Sequence, residues 1–291
     1  MIDQPRSRTL HLTTGLRSHV LEWGGDRPGL DHTVVLLHGF LDLAWGWEAT
    51  AAAGLAGRFH LVAPDMRGHG DSDRVGAGGY YHFMDYLADL HDVVAQLGRG
   101  RVSLVGHSMG GSIASYFAGT YPARIHRLAV LEGTGPLETT TPVPDRVAAW
   151  IAAWERIART PPRRYASVED AAARLRQHDA LLEPTLALEL ARHGTIADGD
   201  GVRFKHDPLH ATMGPYPFKL DVAESFWRRV TCPVLLVDGA RSTLRHAADE
   251  AARRHACFTD RRHATIDGAG HMMQRHRPAE LAAVLSLFLS P

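Results

Sequence analysis

Short, strongly apolar runs alternate with amphipathic stretches through the first half of the chain, and this alternation predicts the fold class. The runs at 33–37, 60–63, 102–105 and 128–131 are apolar at nearly every position, which is typical of parallel strands buried on both faces. Between them, residues 86–97 place leucines and valines at helical spacing. This order of strands and helices predicts a parallel sheet with helices on both faces.

The remaining patterns complete this α/β core and interrupt it once. Early runs at 9–12 and 20–23 predict an antiparallel hairpin at one edge of the sheet. Later patterns predict two more strands and two more helices, at 234–237, 247–255, 264–266 and 279–289. Between the sixth and seventh strands, prolines punctuate a stretch with helical patterns at 146–158 and 168–177. We therefore predict a core formed by residues 1–133 and 230–291, and a mainly helical cap formed by residues 134–229.

A candidate nucleophile lies between the fifth predicted strand and the helix that follows it. The segment Gly106-His107-Ser108-Met109-Gly110 has the Gly-x-Ser-x-Gly pattern of a nucleophile elbow. Small residues are needed two positions either side of the serine, because larger side chains would collide with the strand and helix of the tight turn. A glycine-rich turn without chemistry is the alternative interpretation.

A serine hydroxyl needs a base and oxyanion donors. His271 follows the last predicted strand on the turn Gly268-Ala269-Gly270 and is our candidate base. The loop after the third strand begins His38-Gly39-Phe40, and the N–H groups of Phe40 and Met109 are the candidate oxyanion donors. We interpret His107 as a packing residue.

These motifs together resemble the α/β-hydrolase superfamily over nearly the whole chain. The similarity extends to Asp65-Met66-Arg67-Gly68-His69-Gly70-Asp71-Ser72, which resembles a loop of the family in which Asp65 and Arg67 would brace the turn and Ser72 would not be the nucleophile. The resemblance implies an eight-stranded, mostly parallel sheet with a lid after strand six. It is strongest to serine-hydrolase-like proteins near haloalkane dehalogenases and epoxide hydrolases. Those two enzyme types use Asp at the elbow, so Ser108 excludes their alkyl-enzyme chemistry.

The position of the orienting acid departs from the family pattern. The resemblance places a carboxylate in a loop after strand seven, where this chain has Ser242. Glu132, at the end of strand six, is our first candidate, because ligands and catalytic groups gather at the carboxyl ends of such strands. Some family members resemble this arrangement by carrying the acid after strand six. Asp238 at the end of strand seven is the runner-up, and Asp267 or no acid at all is the remaining possibility.

Aromatic residues predict an apolar substrate pocket. Trp45, Trp47, Trp150, Trp154 and Phe218 are the candidate lining residues. Trp150 and Trp154 share one helix face, and the alternative is that they fasten the cap to the core. In either case an apolar acyl or alcohol group is favoured over a sugar or a highly charged substrate.

Composition narrows the functional classes. The formal net charge is zero, so nothing indicates binding to nucleic acid or to an acidic membrane. The sequence shows no signal-peptide pattern or membrane-spanning run, from which we expect a cytoplasmic protein. No metal-ligand motif such as His-Glu-x-x-His is present, and we expect neither a metal nor a cofactor. The predicted cap is long enough to limit access to the site, so we expect a small-molecule substrate. The oligomeric state stays open.

Two hypotheses from different classes follow. The first is a serine hydrolase that cleaves a small, largely apolar carboxylic ester, thioester or lactone, with acyl transfer or cofactor-free lyase or oxygenase chemistry as variants on the same residues. The second is a non-catalytic ligand-binding protein of the same fold, which only the Ser242 departure favours.

Overall fold

The computed structural model describes residues 4–25, 27, 29–30 and 32–290. Within them an eight-stranded sheet has the strand order β1-β2-β4-β3-β5-β6-β9-β10. Its strands are β1 (Arg6–His11), β2 (Arg17–Trp23), β3 (Thr33–Leu37), β4 (His60–Pro64), β5 (Val102–His107), β6 (Ile125–Leu131), β9 (Val234–Gly239) and β10 (Arg261–Ile266). β2 pairs antiparallel with β1 and β4, and the other neighbours are parallel. The predicted mostly parallel sheet and its edge hairpin are confirmed.

Helices cover both faces of this sheet because the strands are apolar on both sides. The helices are α1 (Glu48–Thr50), α2 (Phe83–Gln96), α3 (Met109–Thr120), α4 (Val143–Arg159), α5 (Val168–His178), α6 (Pro184–Gly194), α7 (Leu220–Trp227), α8 (Ala248–His255), α9 (Met273–His276) and α10 (Pro278–Leu289). On one face Phe288 of α10 packs with Trp47 and Trp23. On the other, Leu90 of α2 packs in one cluster with Phe117 of α3.

The segment between β6 and β9 forms a separate layer over the carboxyl ends of the strands. It contains α4, α5, α6 and a two-stranded hairpin, β7 (Thr195–Asp198) and β8 (Gly201–Phe204). Leu182, Leu190 and neighbouring alanines of this layer pack with Leu43 of the core. The sequence analysis assigned α7 to the cap. In the structure, α7 packs against α3, and its Trp227 belongs to the apolar cluster on one face of the sheet. The boundaries 134–229 stay a prediction.

The topology brings four loops to one edge of the sheet. β5, β6, β9 and β10 are parallel neighbours, so the residues that follow them lie side by side at their carboxyl ends. Those loops carry Ser108, Glu132, Ser242 and His271. As for membranes, no helix in the described part of the chain is both long enough and apolar enough to span one.

Candidate active site

Ser108 occupies a strained turn between β5 and α3. Its φ is 52° and its ψ is −118°, a conformation that a non-glycine residue rarely adopts. A Cβ at Gly106 would overlap the carbonyl oxygen of Gly110, and a Cβ at Gly110 would overlap that of Leu37. The two glycines are therefore required by close backbone approach. Ser108 is half-buried and directly precedes the N-terminus of α3.

Glu132 is the carboxylate that contacts His271. Its Oε2 lies 2.7 Å from Nδ1 of His271 and accepts a 2.7 Å hydrogen bond from Oγ of Ser242. Its Oε1 accepts a 2.8 Å bond from the N–H of Gly239. Burial alone would raise the pKa of Glu132, but the bonds from His271, Ser242 and Gly239 hold that pKa below its ordinary value. The carboxylate is thus kept ionised and oriented.

The backbone around Glu132 is also strained, as it is at Ser108. Glu132 has a φ of 44°, which bends the chain at the end of β6. Gly133 follows, and a Cβ there would lie 2.6 Å from Cα of Gly111 and 2.7 Å from the carbonyl oxygen of Ser108. The bend therefore packs directly against the elbow.

Neither rival carboxylate contacts His271. Asp238 lies on β9 with its Oδ2 2.8 Å from Nε2 of His263 on β10, at a side chain that is 25% exposed. Asp267 is exposed on the turn that follows β10. Ser242, which stands where the family pattern has a carboxylate, donates its hydroxyl hydrogen bond to Glu132. The sequence did not reveal that role, although the position of Ser242 in the usual acid loop was the available signal.

His107 holds the loop that carries His271. Its Nε2 donates a 2.8 Å hydrogen bond to the carbonyl oxygen of His271, and its Nδ1 lies 3.3 Å from Nε2 of Gln274. Burial, and then the nearby His271 ring, lower the pKa of His107 to about 3. The ring is therefore neutral and acts as a fixed donor, a more specific role than packing.

The candidate oxyanion loop passes beside the nucleophile. A Cβ at Gly39 would lie 2.8 Å from Nδ1 of His107 and 3.3 Å from Cβ of Ser108, so only glycine allows this approach. Leu41 has a φ of 58°, and its N–H donates a 3.2 Å bond to Nε2 of His69. The backbone next to the Phe40 N–H is thus held by the close packing of Gly39 on one side and by the hydrogen bond of Leu41 on the other. Met109 begins α3, where the first N–H groups lack intrahelical acceptors.

The loop of residues 65–72 is a structural support. Asp65 accepts bonds from the N–H groups of Ala44, at 2.7 Å, and Asp71, at 2.9 Å. Arg67 pairs with Asp89 at 2.6 Å. Ser72 donates its hydroxyl to the carbonyl oxygen of Asp65 at 2.6 Å, away from the elbow.

One cluster in the described part of the chain has the composition of a metal site. Ligand atoms of His19, Asp65 and Asp71 lie within 4.8 Å of one another. Each already has a partner: His19 binds Asp65 at 2.7 Å, and Asp71 binds Lys205 at 2.7 Å. The cluster is therefore accounted for as an ion-pair network that braces the 65–72 loop.

A cavity of about 670 Å³ lies between the cap and this edge of the sheet. Leu175 and Leu190 line it from the cap, and Phe40 and His271 line it from the core. This volume lies within the ordinary range for small-molecule sites, about 300–1,000 Å³.

The aromatic residues that the sequence assigned to the pocket lie elsewhere. Trp47 is fully buried in the sheet core, since its spacing after the oxyanion loop turns it toward β2 and α10. Trp45 stacks on His193 of α6 at a ring-centroid distance of 3.6 Å. Both contacts serve packing, and neither residue lines the cavity.

The three cap aromatics also serve packing. Trp150 and Trp154 lie 5.3 and 5.2 Å from the ring of Tyr80, which joins α4 to the core. Phe218 packs beneath the guanidinium of Arg254 at 5.4 Å. The shared helix face was predicted correctly, but what the face contacts depends on how the cap docks. The assignment of these residues to the cavity lining is corrected accordingly.

Comparison with known proteins agrees with this architecture. A family model described as alpha/beta hydrolase fold matches residues 32–275. A serine hydrolase-like protein of Danio rerio is 27% identical over 282 residues, covering 92% of this chain and 84% of that protein. The thioesterase domain from the curacin biosynthetic pathway superposes with a TM-score of 0.86 at 25% identity, over 98% of this chain and 100% of that domain. The chain therefore belongs to the alpha/beta hydrolase fold family.

Other relatives match over shorter stretches. A soluble epoxide hydrolase of Corynebacterium is 34% identical over 121 residues, which cover 42% of this chain and 40% of that enzyme. An uncharacterized protein of Mycobacterium tuberculosis is 36% identical over 107 residues, which cover 37% of this chain and 30% of that protein. The predicted resemblance to the serine-hydrolase-like and epoxide hydrolase branch is confirmed.

Proposed function

We propose that this chain is a serine hydrolase that cleaves a small, largely apolar carboxylic ester through an acyl-enzyme on Ser108. His271 takes the hydroxyl proton on Nε2 as Oγ bonds to the carbonyl carbon, and the N–H groups of Phe40 and Met109 hold the oxyanion. The leaving alcohol departs with the proton from His271. Water then attacks the acyl carbon, His271 takes its proton, and the acid and free Ser108 are released.

The observation that carries this proposal is the contact between His271 and Glu132. Nδ1 of His271 lies 2.7 Å from a carboxylate that is 4% exposed and holds two further hydrogen bonds. An anion at Nδ1 fixes the proton there and leaves Nε2 free to accept a proton from a nucleophile. A protein that only binds ligands would have no need for this arrangement.

The cavity supports an apolar substrate group. Leucines 175, 181 and 190 of the cap and Phe40 of the core form much of its lining, and an apolar acyl chain placed there would be removed from water. The similarity to the curacin thioesterase domain favours thioesters as a second substrate class.

The first test asks whether Ser108 is nucleophilic. The folded protein is incubated with a fluorophosphonate and its intact mass is measured. We expect one adduct, located on Ser108, and none in Ser108→Ala or in the heat-denatured protein. A folded wild-type protein without an adduct would contradict the proposal.

The second test defines the substrate. Initial rates are measured with p-nitrophenyl esters of graded acyl length, beside thioesters and lactones. We expect kcat/KM to rise with acyl length until the cavity is filled and to be indifferent to EDTA. Activity that EDTA abolishes would overturn the proposed mechanism.

A further inference from the structure

A second histidine–aspartate pair joins the cap to the loop that carries His271. Nε2 of His276, on α9, lies 2.7 and 2.9 Å from the two carboxylate oxygens of Asp179, in the link between α5 and α6. Nδ1 of the same ring accepts a 3.0 Å hydrogen bond from the N–H of Gly270. The His276 side chain is 4% exposed and that of Asp179 is 16% exposed, so the pair is largely shielded from water.

These bonds define the proton positions on His276. The N–H of Gly270 can only donate, so Nδ1 must accept and the ring proton lies on Nε2, where it is donated to Asp179. The two ring nitrogens therefore make different contacts. One nitrogen contacts the cap, and the other contacts the residue that precedes His271.

The backbone on either side of His271 is held by two different histidines. His276 holds the N–H of Gly270 from the side linked to the cap. His107 holds the carbonyl oxygen of His271 from the elbow side. The placement of the His271 ring therefore depends on both contacts.

The cap end of this connection is itself well anchored. Oδ1 of Asp179 also accepts a 3.2 Å bond from the N–H of Leu181, and Leu182 is buried in the cap cluster. Asp179 and Leu181 line the same cavity as His271. A substrate in that cavity would contact both ends of the connection.

We propose that His276 is a positioning residue that couples the seating of the cap to the placement of His271. This inference rests on the proposed function, because it needs His271 to act as the base. Asp179 holds His276, His276 holds the N–H of Gly270, and Gly270 sets the start of the His271 turn. Cap seating thereby affects substrate binding through Asp179 and catalysis through Gly270.

Two substitutions at His276 separate these effects. His276→Asn keeps an acceptor at the Nδ1 position for Gly270 but cannot reach Asp179, whereas His276→Gln keeps a donor at the Nε2 position for Asp179 but leaves Gly270 without its acceptor. We expect His276→Gln to lower kcat by roughly 10- to 100-fold with little change in KM. We expect His276→Asn to raise KM by about three- to tenfold and also to lower kcat by about three- to tenfold, because releasing the cap end of the connection loosens the placement of His271.

Two further variants complete the test. Asp179→Ala removes the cap contact without changing the ring and should change both KM and kcat as His276→Asn does. His263→Gln changes another histidine–aspartate pair, the one with Asp238 at 2.8 Å on the outer strands, and should change neither constant. Thermal unfolding midpoints of all four variants are measured beside the kinetics.

The outcomes distinguish the coupling from the proposed function. A wild-type protein that neither binds fluorophosphonate nor hydrolyses esters overturns the proposed function. An active wild type in which the two His276 variants lose kcat equally, in step with their unfolding midpoints, overturns the coupling. If His276→Gln does not fold, His276→Asn and Asp179→Ala decide: an unchanged kcat in both overturns the coupling, and a lowered kcat in both, with unfolding midpoints near the wild-type value, supports it.

Discussion

Replacing Glu132 by glutamine removes the charge behind His271 while keeping the shape of the side chain. The carboxylate receives hydrogen bonds from Gly239 at Oε1 and from Ser242 at Oε2, where it also contacts His271. Glutamine can turn its oxygen toward Ser242 and His271 only by pointing its NH₂ at the N–H of Gly239, which is also a donor. The opposite orientation places the NH₂ against the Nδ1–H of His271. Both orientations leave a buried donor without an acceptor.

The expected magnitude follows from the tautomer. With an amide donor at Nδ1, His271 would carry its proton on Nε2, the atom that must accept the proton of Ser108. Loss of an orienting acid in a Ser-His-acid triad costs on the order of 10⁴ in kcat, which corresponds to about 5 kcal/mol of transition-state stabilisation. Ser242→Ala keeps the charge and removes one bond to it, so we expect a loss of about tenfold.

The assay compares initial rates of p-nitrophenyl butyrate hydrolysis and rates of fluorophosphonate labelling in Glu132→Gln, Ser242→Ala and Asp238→Asn. Asp238 is the matched control, because it is a carboxylate at the end of the neighbouring strand that contacts His263 instead. We expect Asp238→Asn to stay within about twofold of the wild type. A collapse of kcat in Asp238→Asn, with Glu132→Gln nearly unaffected, would refute the assignment of the acid.

Three further predictions concern the residues around the site. His69→Ala removes the acceptor of the Leu41 N–H and should slow ester hydrolysis about tenfold through the oxyanion loop; an unchanged rate would contradict that role. His107 is neutral in the fold, with a pKa of about 3, and is protonated on unfolding below about pH 6.5. The unfolded state then binds more protons, so urea titrations should show about 2 kcal/mol less stability from this residue at pH 5 than at pH 7, whereas equal stability at both values would refute the argument. Arg241 lines the cavity and is exposed, and its side chain has no partner among the described residues. Arg241→Ala should therefore lower kcat/KM for carboxylate-tipped acyl esters about two- to fivefold relative to neutral ones, while Arg245→Ala in the same loop should leave that ratio unchanged; equal ratios in both variants would count against it.

Most of the sheet could be predicted because its strands are buried on both faces and therefore apolar without interruption. β3 begins and ends where its apolar run does, at Thr33–Leu37. The cap was less predictable, because its elements are half-exposed and their patterns are short. Helix α6 and the β7–β8 hairpin were not assigned from the sequence.

The cavity lining could not be read from the sequence for a related reason. Trp150 and Trp154 share a face at helical spacing, but spacing does not reveal which neighbour that face meets. In the structure the neighbour is Tyr80 of the core. The actual lining includes leucines of α5 and α6 and loops after four strands of the sheet, which only the docked cap brings together.

The pairing of β6 with β9 explains how Glu132, at the end of β6, contacts His271 although the family pattern has its carboxylate after β9. β6 and β9 are parallel neighbours with Leu131 opposite Val237, and the N–H of Glu132 donates to the carbonyl oxygen of Val237. The ends of both strands therefore lie at the same height beside β10, so a carboxylate that leaves either strand can reach His271. The positive φ of Glu132 directs its side chain toward that space, and Ser242 supplies a hydroxyl where a second carboxylate would repel the first. The Ser242 hydroxyl, at the position where the family pattern has a carboxylate, thus stabilises the carboxylate that we propose as the acid on the neighbouring strand.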